Sequence, residues 1–355
     1  MPQTIERQLQ NKENGFDLLR LLAAILVIAS HSYPLSGRTD EIFAQYFTYD
    51  TGGGFAVAAF FVISGLLITR SALENDGWDF LLARVLRLMP ALLFVGVLQY
   101  LVIGPIFTVT PLSTYFKVEI YHPLRTATLF WNNFHLSGVF TKNIVTSVNG
   151  SLWTLPYEFV FYLWIFFATG LGILTKRSSM AITLLVVGFA VFLHSSSGLS
   201  FENQGGVLFK LSPFYSGIKS LSFFMMGSML YFLRARIPLT APLALSALIL
   251  MMIAAGGQMA GVTYYLCFPY LIVYAGLKAL PPLNLRHSIG DLSYGVYIVG
   301  FPMQQMIFEL SGQSIRPTFL TLLAVPLSLG FAWISWRYVE APALRIRYRY
   351  KKIYD

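Results

Sequence analysis

The sequence predicts an all-α integral membrane protein of about ten transmembrane helices, with both termini in the cytoplasm. Three observations carry this. The chain is 56% hydrophobic and 12% charged, with a mean hydropathy of +0.63, whereas a soluble domain carries about 25% charged residues. Apolar segments of bilayer length recur from one end to the other. Lysine and arginine are divided unequally between alternate loops.

The apolar segments fall at about 16–34, 54–70, 88–107, 152–174, 180–194, 212–233, 238–256, 260–277, 289–310 and 318–338. The fifth is short, and Pro156 interrupts the fourth near its start. No stretch has the composition of a soluble domain. The chain therefore divides into a polar segment 1–15, one transmembrane unit 16–338 with a long outer loop 108–151, and a basic tail 339–355. The first run continues His31-Ser32-Tyr33-Pro34-Leu35 without a small-residue cleavage pattern, so it reads as a retained span and not as a signal peptide.

With the N-terminus inside and loops alternating, 18 of the 25 Lys and Arg residues fall on the cytoplasmic side, against 7 outside or within spans. This obeys the positive-inside rule and supports an even number of spans. It also accounts for the net charge of +9 without any nucleic-acid partner. The tail Arg345–Lys352 reads as an orientation signal and a contact for anionic lipid. A single cysteine, Cys267, excludes a disulfide framework and a cysteine-rich metal site, and reads as a packing residue.

The first span carries three ionisable groups, Asp17, Arg20 and His31. Arg20 and His31 are about 20° beyond three full turns apart, and Asp17 and His31 about 40° short of four, so all three share one face. The rise from Arg20 to His31 is about 16 Å, roughly half the hydrocarbon thickness. Ionisable groups within a span face a protein interior or a water-filled cavity. The blander reading has Asp17 and Arg20 at the interface and His31 as a packing residue.

The second span opens on Gly52-Gly53-Gly54, glycines that permit a tight turn and close helix approach, and contains Ser64-Gly65. Arg84 and Arg87 precede the third span at a spacing that puts them on one helical side. Paired guanidiniums suit phosphate, and they equally satisfy the positive-inside bias. The loop 108–151 holds Tyr115, Tyr121, His122, Phe130, Trp131, Asn132, Asn133, Phe134 and His135. Such a loop is often functional, and its aromatics suit a sugar face, an interfacial belt or re-entrant packing. Neither histidine has metal-ligand spacing with an acidic partner. The loop ends Ser151-Leu152-Trp153-Thr154-Leu155-Pro156-Tyr157-Glu158, with Tyr162 one turn on. Glu158 is the only carboxylate in its span and reads as functional. Asp291 and Glu340 read as interfacial or paired with nearby basic residues.

Taken in order, Arg20-x10-His31, Phe60-Phe61-Val62-Ile63-Ser64-Gly65, Arg84-x-x-Arg87, Ser151-Leu152-Trp153 with Glu158, Phe161 and Tyr162, and the endings Ser293-Tyr294-Gly295-Val296-Tyr297 and Tyr338-Val339-Glu340-Ala341-Pro342 resemble the family-3 membrane acyltransferases over essentially the whole chain. These are bacterial O-acyltransferases of surface polysaccharides, O-antigen, exopolysaccharide, Nod factors and some macrolides. Two motifs depart from the usual pattern: Leu18-Leu19-Arg20 lacks a glycine, and Trp153-Thr154-Leu155 has threonine for serine. Some members carry a hydrolase-like domain after the membrane part, and none is expected here.

The resemblance implies transfer of an acyl group, acetyl by default, from cytosolic acyl-CoA to a hydroxyl of an extracytoplasmic glycan, free or lipid-linked, in the bacterial inner membrane. Arg20, Arg84, Arg87 and Ser64 would hold the donor. Asp17, Trp153 and Tyr162 would contact substrate. His31 would act as general base, oriented by Glu158 if their helices are adjacent. Membrane lipid surrounds the protein, no metal or nucleic acid is expected, and an oligomer is compatible. The competing classes are a sugar or lipid transporter, a thioester-binding scaffold without catalysis, and an acyltransferase for a small molecule such as a macrolide. The absence of an internal repeat weighs against the transporter.

Overall fold

The computed structural model describes residues 3–10, 13–47, 49–131, 134–197, 207–208, 212–282 and 290–346. Asn132 and Asn133 of the loop, the basic residues Lys12, Lys210 and Arg286, and the tail beyond Ile346 lie outside them. The fold is all-helical, apart from a two-residue pairing of Val207–Leu208 with Ser212–Pro213.

Ten helices of 14 residues or more occur among the described residues, one in each expected apolar segment. They are α1 (Phe16–Leu35), α2 (Gly52–Glu74), α3 (Gly77–Leu98), α4 (Leu155–Gly170), α5 (Lys176–Ser197), α6 (Phe214–Phe232), α7 (Ala241–Ala254), α8 (Ala260–Tyr274), α9 (Ser293–Leu310) and α10 (Pro317–Ser335). Seven, with their extensions, are long and apolar enough to cross a membrane alone; α6, α7 and α9 are the others. α6 carries Lys219, α9 carries Gln304 and Gln305, and α7 is short.

Three boundaries differ from the sequence expectation. α3 begins at Gly77, not near 88, because Asp76 caps its first turn by accepting from the Trp78 N–H at 3.2 Å. Arg84 and Arg87 are thus inside a helix. Pro156 does not break the fourth span. It lies in the first turn of α4, where a missing N–H is not needed, after a 3₁₀ turn over Gly150–Thr154. The Gly52–Gly54 run is likewise no loop turn but the first turn of α2. Its N–H groups are taken by Glu41 Oε1 (Gly52, 2.8 Å) and Thr51 Oγ1 (Gly54, 3.0 Å).

α2 is the central helix and crosses α6 most closely. A Cβ at Gly65 would collide with the Phe224 carbonyl, and one at Gly227 with the Val62 carbonyl, so both backbones approach only because both positions are glycine. Hydroxyls fasten the same crossing, with Thr69 donating to Ser228 at 2.8 Å. α1 packs between α2, α9 and α10, where Gln304 Nε2 donates to the Ile28 carbonyl and to Ser32 Oγ, each at 2.7 Å.

The long loop is ordered into a cap. It contains helices Leu112–Val118 and His122–Ala127 and a small core of Tyr115, Leu136, Val139, Phe140 and Val148. Asn149 Nδ2 ties it to the Ile298 carbonyl at 2.8 Å, and Asn143 Nδ2 to Gln305 Oε1 at 2.9 Å. Cys267 is a half-buried free thiol packed on the main core. Ile5 bonds the α6–α7 connection through the Ile237 carbonyl at 3.2 Å, and the helical extension of α10 runs to Ile346.

Candidate active site

Two cavities lie along the α1–α2 pair, and both have charged side chains in their lining. The first, about 450 Å³, is lined by Arg20 of α1, Ser64 of α2, Arg84 and Arg87 of α3, and Glu158 and Tyr162 of α4. The second, about 380 Å³, is lined by His31 of α1, Gly53 and Gly54 of α2, Trp153 of the 3₁₀ turn, and Asp50 and Lys219. Because α1 and α2 are antiparallel, the start of α1 and the end of α2 face the arginine cavity, and their opposite ends face the histidine cavity. The face shared by Arg20 and His31 thus serves both.

Of the nine residues picked out in sequence, six line the arginine cavity, two (His31 and Trp153) line the histidine cavity, and Asp17 lines neither. The 3₁₀ turn and α4 straddle the two: Trp153 faces one cavity, Thr154, Glu158 and Tyr162 the other. Glu158 accepts a hydrogen bond from the Tyr162 hydroxyl, one turn on. It makes none to His31, so it does not orient the imidazole as the resemblance suggested. Arg20, Arg87 and Arg84 are its electrostatic neighbours.

The two arginines of Arg84-x-x-Arg87 differ in their commitments. Arg87 Nη2 pairs with Asp291 at 2.7 Å and Nη1 with Glu340 at 3.3 Å, and its guanidinium stacks over Tyr294 and Trp336. It joins α3 to the start of α9 and the end of α10. Asp291 and Glu340 are therefore paired and buried, not interfacial. Arg84 Nη2 donates to Ser71 Oγ at 3.0 Å, with its guanidinium near the rings of Phe80 and Tyr162. Arg345, which the sequence suggested was part of a lipid-facing tail, lines this cavity and is exposed. The lining holds four arginines against Glu158 and Asp291, a balance that suits an anionic ligand with several negative groups.

In the histidine cavity, His31 Nδ1 is buried without a hydrogen-bond partner, and the ring meets Phe301 edge-on at 5.4 Å between centroids. Among the described residues no partner holds Nδ1 by a hydrogen bond, which leaves that nitrogen to bond whatever occupies the cavity. Beside it, Lys219 Nζ pairs with Asp50 Oδ2 at 2.7 Å, their side chains 12% and 4% exposed. The Tyr264 hydroxyl donates to the same oxygen at 2.7 Å. Sequence reasoning missed this pair. Its signal in the sequence is a lone lysine, Lys219, inside the apolar segment 212–233. Phe134 of the loop also lines the cavity, whereas His122 is buried elsewhere against Gln99 at 2.9 Å. No group of three metal-ligating side chains occurs among the described residues.

The helices form a multi-pass membrane protein with a cationic cavity beside one that holds an imidazole. Residues 13–337 match the family described as an acyltransferase domain, and the chain belongs to that family. It is an O-acetyltransferase by class. It is 29% identical to the O-acetyl transferase of Shigella phage Sf6 over 93% of this chain and 96% of that one. It is 27% identical to nodulation protein 10 of Rhizobium leguminosarum bv. viciae over 94% of each. No solved structure matches it.

Proposed function

We propose that the protein transfers an acetyl group from acetyl-CoA, bound from the cytoplasm in the arginine cavity, to a hydroxyl of an extracytoplasmic glycan held in the histidine cavity, in a bacterial inner membrane. The observation that carries this is that the two cavities share lining residues, one cavity being lined by guanidiniums and the other by a histidine whose Nδ1 has no hydrogen-bond partner among the described residues. The charge asymmetry of the loops supports a cytoplasmic arginine end.

Arg20, Arg84 and Arg345, which line the cavity, contact the donor phosphates, and Arg87 is held among them by two carboxylates. Glu158, fixed by Tyr162, spaces and orients the guanidiniums around it. The pantetheine arm runs along the polar face of α1 and delivers the thioester toward His31. His31 takes the proton from the acceptor hydroxyl as its oxygen attacks the thioester carbonyl. The C–S bond then breaks, and coenzyme A leaves as the thiol after receiving that proton. Trp153 offers an aromatic face to a sugar ring.

The test is O-acetylation of surface glycan in membranes carrying wild type, His31→Ala or Glu158→Ala at equal expression. Both variants abolish product. A general base contributes about 10²–10⁴-fold, so product at the wild-type level in His31→Ala membranes refutes the mechanism.

A further inference from the structure

Two residues line both cavities, Val57 of α2 and Tyr297 of α9, and the chemistry above uses neither. Val57 lies between Gly54, on the histidine cavity, and Ser64, on the arginine cavity. Tyr297 lies one turn beyond Ser293, which faces the arginines. The Tyr297 hydroxyl donates to the Ser151 carbonyl at 2.9 Å and lies 2.7 Å from Thr154 Oγ1. Its one proton being given to Ser151, the hydroxyl accepts from Thr154. Its ring meets Phe60 edge-on at 5.7 Å. The ring is therefore latched to the 3₁₀ turn that carries Trp153 and braced by the helix that carries Val57. Valine, branched at Cβ, has few rotamers to yield. The partition is stiff, apolar on the Val57 side, and has no charge to contribute to proton transfer.

We propose that Val57 and Tyr297 form an acyl-size gate: they determine which acyl groups pass from the donor cavity to His31. The inference rests on the acyl-CoA reading. A thioester anchored by its phosphates brings its carbonyl carbon to the acceptor oxygen only by passing this pair. A two-carbon acyl group clears the valine methyls, and each further methylene meets them. The gate touches the acyl chain and leaves the bonds made and broken unchanged.

The experiment measures coenzyme A thiol release by detergent-purified protein from acetyl-, propionyl- and butyryl-CoA, with a lipopolysaccharide extract as the acceptor probe. Variants are Val57→Ala, Tyr297→Phe and Val57→Phe. One methylene against a shaped apolar contact changes discrimination about 10- to 200-fold. Val57→Ala therefore raises the butyryl-to-acetyl turnover ratio about 10-fold or more, and Tyr297→Phe, which frees the latch, moves it the same way. Val57→Phe lowers turnover of all three about 100-fold with acetyl-CoA affinity unchanged. Should the larger side chain prevent folding, the two variants that only remove atoms decide the matter. Wild-type ratios in both overturn the gate while leaving the acyl-CoA reading intact. A wild type that neither binds nor consumes any of the three thioesters ends that reading and the gate with it.

Discussion

Arg84 and Arg87 are indistinguishable in the sequence, three residues apart on one side of one helix, and distinct in the structure. Arg87 is the partner of two buried carboxylates from distant parts of the chain. No local pattern could reveal that, because the pairing depends on how α3, α9 and α10 assemble. Removing one member of a buried ion pair leaves the others uncompensated at a cost of about 3–5 kcal/mol. Arg87→Ala is therefore expected to lower the melting temperature and the yield of folded protein by more than Arg84→Ala, whose chief expected effect is a loss of donor affinity. A thermal melt of the two purified variants separates the roles; equal melting temperatures contradict the assignment. The same reasoning applies to Asp50. Asp50→Asn removes the charge that balances Lys219 in the histidine cavity and destabilises the protein by about 3 kcal/mol, read as a lower melting midpoint. Replacing both partners together is expected to recover part of that loss, since no buried charge remains unpaired.

Among the elements, the helices were legible because hydrophobic length and charge spacing encode them, and the face shared by Arg20 and His31 followed from helical periodicity. The α2–α6 crossing was not. Gly65 could be read as a small packing residue, but its partner Gly227 lies far along the chain. Gly65→Ala is expected to force α2 off the Phe224 carbonyl at a cost of about 1–3 kcal/mol or more, lowering stability and activity together. Activity retained with an unchanged melt would show that the two helices have room to move apart. The loop is a second case. In sequence its aromatics suit a sugar face, an interfacial belt or re-entrant packing; in the structure Tyr115 joins the small core that fastens the cap to α9, Tyr121, Phe130 and Trp131 are exposed, and Phe134 lines the histidine cavity. His122 is buried in that cap. Burial, reinforced by Arg125, pushes its pKa down to about 4 from about 6.5 in an unfolded chain. The unfolded chain thus binds the proton more readily, and stability is complete above about pH 6.5 and lost progressively as the pH falls toward 4. Melting curves across that range are expected to show the decline, and His122→Gln to flatten it. An identical acid profile in the variant would remove His122 from the explanation.

At the scale of the whole molecule, the ordered motifs along the chain converge on one axis. Arg20, Ser64, Arg84 and Glu158 come from four helices and meet in one cavity; His31 and Trp153 meet in the next. Sequence spacing placed the arginine and the histidine on one face of α1, but the two chambers meet at Val57 and at Tyr297, the end of the Ser293–Tyr297 motif, and that meeting became visible only in the assembled bundle. On the proposed mechanism the arginine chamber holds the donor independently of the base in the other. The direct measurement is acetyl-CoA binding to detergent-purified wild type, Arg84→Ala and His31→Ala. The account predicts that the wild type and His31→Ala bind with equal affinity and that Arg84→Ala binds at least about 10-fold more weakly, the loss of one charge-assisted contact. Undiminished binding by Arg84→Ala, or binding lost in a folded His31→Ala, contradicts it.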